Sequence, residues 1–177
     1  MIDFFSFFFY LLGTPEKEIL WAAVNGHVDL VRNLLDSNPG LAQVQDHDGY
    51  TPLHRACYEN HVEIAKLLLC NGANISSQTN ESWQPLHSAS KWHSNQCILL
   101  LLDWGANVNA LTKGGFTPLH LAASSPNSFE TLVILLNHPL VDTSIKSRNG
   151  ETAFQIAQRC GPFSELFAIA SPSIGVI

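Results

Sequence analysis

The chain has 177 residues, enough for one domain and too few for two comfortable ones. Hydrophobic residues make up 46% and charged residues 14%, which excludes a disordered chain and supplies material for a core. The net charge is −6, and the nine Lys and Arg form no run, which disfavours direct nucleic-acid binding through phosphate neutralisation.

The first twelve residues hold eight aromatic or Leu side chains. A signal peptide is not expected here: Asp3 stands where a basic region belongs, and Gly13-Thr14-Pro15-Glu16 offers no small-residue cleavage site. They also fall short of the ~20 residues that cross a bilayer, so no membrane role is expected. Residues 1–15 read as an apolar cover for the domain end or, preferably, as a mis-assigned start.

From residue 16 the chain repeats itself, the feature to seek before any other. Thr51-Pro52-Leu53-His54 returns as Gln84-Pro85-Leu86-His87 and as Thr117-Pro118-Leu119-His120, each step 33 residues, then in degraded form as Thr152-Ala153-Phe154-Gln155. Asn71-Gly72-Ala73-Asn74 matches Trp104-Gly105-Ala106-Asn107, again 33 apart, and residues 22–30 align with 56–64 at a shift of 34. Units are expected near 16–45, 46–78, 79–111, 112–146 and 147–170, followed by a tail at 171–177.

Each unit reads as two helices. Pro52, Pro85 and Pro118 suit a first helical turn, and Thr51 and Thr117 are natural N-caps, with Gln84 a weaker substitute. Leu53, Ala56 and Cys57 fall at i, i+3 and i+4 of one helix, as Ile64, Leu67 and Leu68 do in the next. Gly72 and Gly105 end second helices, and Gly49, Gly115 and Gly150 mark turns into the following unit. In the fourth unit Ser125-Pro126-Asn127 lengthens the turn between helices. The fifth departs as a closing unit does, with Gly161-Pro162 interrupting it.

Candidates for chemistry are few. Cys57, Cys70, Cys97 and Cys160 lie too far apart for a zinc site or a disulfide framework and read as reduced thiols. Cys57 and Cys97 fall on core-facing positions. His54, His87 and His120 sit on successive units without a recurring carboxylate or Cys, so a structural role outweighs metal binding. No nucleophile elbow, P-loop or dinucleotide fingerprint occurs. No enzyme activity, metal or cofactor is expected. Trp104, at the other edge of its unit, reads as packing.

A 33-residue period carrying Thr-Pro-Leu-His resembles the ankyrin repeat. The resemblance implies an all-α solenoid of stacked helix–turn–helix units joined by β-hairpin-like loops, with the repeated His bonded inside its turn. It also implies a non-catalytic, monomeric protein–protein interaction module or adaptor. In that family partners meet the hairpin tips and the inward-facing first helices. Carried over by position, the contact residues are Tyr50, Trp83 and Phe116, each just before the repeated tetrapeptide. The tips add His47, Asp48, Asn80, Glu81, Lys113 and Arg148; the first helices add Tyr58, Glu59, Lys91 and Trp92. Aromatic side chains at regular spacing are the residue type enriched at binding hot spots. Asn109, with Leu101 eight residues upstream, resembles the sites of ankyrin-directed asparagine hydroxylases, an alternative role as substrate or decoy. Three passages, at residues 50–56, 83–92 and 150–157, resemble family members linked to the nucleus and to transcriptional regulation in differentiating cells. An acidic segment ahead of the repeats there is replaced here by the Phe-rich stretch. Location in the nucleus or cytoplasm is the corresponding expectation.

Overall fold

The computed structural model describes residues 13–170, so the Phe-rich stretch at 1–12 and the tail at 171–177 lie outside the described residues. Among the described residues ten α-helices follow one another: α1 (Pro15–Asn25), α2 (Val28–Ser37), α3 (Pro52–Tyr58), α4 (Val62–Cys70), α5 (Pro85–Lys91), α6 (Asn95–Asp103), α7 (Pro118–Ala123), α8 (Phe129–Leu136), α9 (Ala153–Cys160) and α10 (Leu166–Ala170). A 3₁₀ turn, Pro39–Gln43, follows α2. The odd-numbered helices pack neighbour to neighbour in one row, the even-numbered ones in a second. The two rows share one core.

Local chemistry sets the helix ends. Pro stands at the first position of α1, α3, α5 and α7, where a missing N–H costs nothing. α1 uses the same Thr-Pro start: the Lys17 N–H donates to Thr14 Oγ1, so the first unit is more regular than its sequence announced. Asn71 and Trp104 cap α4 and α6, and Gly72 and Gly105 follow with φ of 84° and 86°. That left-handed turn is one a Cβ disfavours.

The core is one continuous cluster through all units. Ile19, Leu53, Ile64, Leu68, Leu86, Ile98, Leu101 and Leu135 are fully buried. Burying one such side chain stabilises by about 1.5–3 kcal/mol, and no unit could do so without its neighbour.

The connections are hairpin-like turns without a strand ladder. Among the described residues there is no strand, and the one bridge pairs Lys146 with Thr152. Each is a tight turn closed by two backbone bonds: the N–H of Asp46, Thr79, Thr112 and Ser147 donates to the carbonyl of Tyr50, Trp83, Phe116 and Glu151 at 3.0, 2.9, 3.0 and 2.9 Å, and the N–H of Gly49, Ser82, Gly115 and Gly150 donates to the carbonyl of Asp46, Thr79, Thr112 and Ser147. A bond between residues only four apart leaves no length for a ladder. Successive tips are linked by Asn80 N–H to Asp48, Lys113 N–H to Glu81, and Arg148 N–H to Gly114. Gly49 and Gly115 are required here, because a Cβ on either would stand 2.9 Å from the next tip's backbone.

Candidate partner-binding face

The repeated histidines are spent on the scaffold. Within its own turn, the Thr51 N–H donates to His54 Nδ1 at 3.2 Å, and the His54 N–H donates to Thr51 Oγ1. The other nitrogen leaves the unit, donating to the Trp83 carbonyl at 2.9 Å. Thr117 and His120 repeat the arrangement, with Nε2 on the Glu151 carbonyl at 3.2 Å. His87 Nε2 is shared between the carbonyls of Ala110 and Phe116 at 3.0 and 3.1 Å. A carbonyl only accepts and a backbone N–H only donates, so each ring is the neutral Nε2–H tautomer. Burial lowers the His54 and His87 pKa from the ordinary 6.5 to about 4, and it lowers that of His120 as well. No group of three or more His, Cys, Asp or Glu able to hold a metal occurs among the described residues. Local capping was legible from the Thr-His spacing; the reach to the next unit was not.

The three aromatic residues expected to contact a partner lie directly above these histidines. Ring centroids are 5.7 Å apart for Tyr50–His54, 6.3 Å for Trp83–His87 and 6.0 Å for Phe116–His120. All three rings are half-buried, and Phe116 packs against the core. Each therefore shields its turn while showing one side to solvent. Arg55 lies over the Tyr50 ring, 4.8 Å from its centroid, and is ion-paired with Asp46. Burial pushes the Asp46 carboxyl up, but hydrogen bonds from Arg55 and the Tyr50 N–H outweigh it and hold the pKa below its usual value.

The remaining candidates are more open. Tyr58 and Trp92, from the ends of α3 and α5, touch at 4.8 Å between centroids and are 37% and 52% exposed. They are two adjacent large rings open to solvent. Lys91 is half-buried, its Nζ donating to Ser124 Oγ at 3.1 Å. His47, Asp48, Glu59, Asn80, Glu81, Lys113 and Arg148 are exposed. His47 Nδ1 lies 3.2 Å from Asp48, and Asn80 Nδ2 donates to the His47 carbonyl. Because Arg55 joins α3 to the tip, and Tyr58 lies one turn beyond it, tips and first helices form one face.

Elsewhere Trp104 was misread, Cys57 and Cys97 are buried as their positions implied, and the clamps at Asn109 and Gln43 were missed. Trp104 is 43% exposed rather than packed, because it caps α6 where the chain turns away from the core. Cys57 and Cys97 are fully buried, and burial drives the Cys57 thiol pKa well above its usual value, so it is a poor nucleophile. Asn109 is half-buried and clamps two units together. Its Nδ2 donates to the Leu140 carbonyl at 2.7 Å, and its Oδ1 accepts from the Asp142 N–H at 2.9 Å. Gln43 does the same between the first and second units, through the Gly72 carbonyl and the Asn74 N–H.

With these geometries in place, comparison with known proteins defines the class. The family model "Ankyrin repeats (3 copies)" matches residues 16–79 and 71–148, and the chain belongs to the ankyrin-repeat family. Its members are generally non-catalytic protein-interaction modules. The chain is similar to ankyrin repeat domain-containing protein 49 of Bos taurus and of Homo sapiens, 54% identical to each over 155 residues. That is 88% of this chain and 65% of those proteins. The Drosophila melanogaster protein of that name is 48% identical over 59 residues, covering 33% of this chain and 27% of its own length. The chain thus spans just under two thirds of the mammalian relatives. Among the described residues no helix is long and apolar enough to cross a membrane.

Proposed function

We propose that the protein is an adaptor that binds another protein across the face made by its hairpin tips and first helices. The observation that carries this reading is the exposed Tyr58–Trp92 pair, standing beside the half-buried row of Tyr50, Trp83 and Phe116. A soluble fold gains nothing from two adjacent large rings left open to water, whereas an interface does. Affinity purification from cells, comparing the natural chain with Tyr58→Ser/Trp92→Ser, tests it. Because both rings lie at the surface, the variant is expected to stay folded, with at most a small drop in melting temperature, and to lose a defined set of partners. An unchanged set would contradict the reading.

A finer reading follows from the similarity to ankyrin repeat domain-containing protein 49: a role in transcriptional regulation during cell differentiation, in the nucleus or cytoplasm. The partner then supplies any DNA contact, since this chain is acidic without a basic run. Fractionation of cells expressing a tagged chain checks the location; recovery with membranes alone would remove it. The Asn109 hydroxylation reading is supported by the position of that residue after α6, and mass spectrometry showing Asn109 unmodified in cells would eliminate it.

A further inference from the structure

The proposed face is electrically divided. Ahead of residue 84 the chain carries ten acidic and four basic residues; from there on it carries five of each. The whole net charge of −6 therefore belongs to the first half. On the tips the same division is sharper. Asp48 and Glu81, both exposed, occupy the second and third units, and Lys113, Lys146 and Arg148, also exposed, occupy the fourth and fifth. Exposed Glu59 adds to the acidic end, beside the Tyr58–Trp92 pair.

The tips are consecutive neighbours, tied by the backbone bonds from Asn80 to Asp48, Lys113 to Glu81 and Arg148 to Gly114. The exposed charges on them change sign once, between Glu81 and Lys113; Glu151, half-buried at the base of the last turn, is ion-paired with Arg159. Helix rows stack at about 8–10 Å per neighbour, so four tips cover about 30 Å. An extended segment, at about 3.3 Å per residue, covers that with about nine residues.

Resting on the reading of this face as the binding face, we infer that its partner presents an extended segment of segregated charge. Basic residues with an aliphatic or aromatic anchor lie over Asp48, Glu59, Glu81 and the Tyr58–Trp92 pair, and acidic residues lie over Lys113, Lys146 and Arg148. The rings supply burial. The charges set the register, since a segment displaced by half its length meets like charge.

Three synthetic peptides of about ten residues probe this in NMR titrations of the natural chain at low salt. One has two Lys and a Leu in its first half and two Glu in its second; its isomer alternates the same residues; the third replaces Glu by Lys. The segregated peptide is expected to bind about tenfold more tightly than the alternating one, the size four exposed charge pairs provide. Its signals should map to the tips and to Tyr58 and Trp92. In Lys113→Glu/Arg148→Glu, both positions being exposed, that preference disappears and the all-basic peptide becomes the strongest. Equal binding of the two isomers, weakened by Tyr58→Ser/Trp92→Ser, would overturn the charge order while leaving the face intact. Preference of the natural chain for the all-basic peptide would overturn it as well. If no peptide shifts any resonance of this face, the binding-face reading falls with it.

Discussion

The middle units and the closing unit start their first helix in the same way and differ in what the third side chain can reach. In the middle units, His54, His87 and His120 cap their own turn with one nitrogen and grip the next unit's backbone with the other. In the closing unit Gln155 takes that place. The Thr152 N–H donates to Gln155 Oε1 at 2.9 Å and the Gln155 N–H returns to Thr152 Oγ1, so the local cap survives. Gln155 is exposed, and its bonds to Thr152 stay within its own turn. A cap can be built from any short acceptor; the imidazole, with two nitrogens on opposite edges of one rigid ring buried at the junction, caps its own turn and couples to the next unit at once. His thus recurs in the three middle units, while Lys17 takes the equivalent place in the first unit and Gln155 in the last.

Replacing His87 with Ala is the strongest way to break this contrast. It removes the cap and leaves the Ala110 and Phe116 carbonyls short of a donor, and urea denaturation is expected to show a loss of about 3 kcal/mol. The effect of acid comes next. The His54 and His87 pKa is lowered by burial from 6.5 to about 4, so the unfolded chain binds more protons than the folded one between those values. Stability is therefore complete above about pH 6.5, falls as pH drops from there towards about 4, and loses up to about 3 kcal/mol per histidine. Denaturation midpoints measured across that range check the slope; a midpoint independent of pH would contradict it. Gln155→Ala comes last, with a loss below about 1 kcal/mol, the size of one exposed cap. If it matched His87→Ala, coupling and capping would not be separable.

The scaffold was legible because its determinants repeat. Thr51, Pro52, Leu53 and His54 recur in register, and each carries a local preference that one chain displays. What was hidden is what links units at a distance. The Nε2 bonds, the Gln43 and Asn109 clamps and the direct tip-to-tip bonds join residues 23 to 34 apart, and each has a backbone group as a partner, which no side-chain pattern marks. The binding face was legible only in outline. The positions of Tyr50, Trp83 and Phe116 followed from the repeat, but their half-burial over the histidines did not. The openness of Tyr58, Trp92 and Trp104 depends on how the neighbouring unit packs. The Thr14-Pro15 start of the first helix was in plain view, and it was obscured by its irregular distance from the next copy.

The most direct test of the claim that the histidines are couplers of the stack, rather than groups open to a metal or a partner, is a side-chain NMR titration of His54 and His87. The account predicts the neutral Nε2–H tautomer for both at neutral pH, with midpoints near 4. Ordinary titration of either near 6.5, or the opposite tautomer, would contradict it.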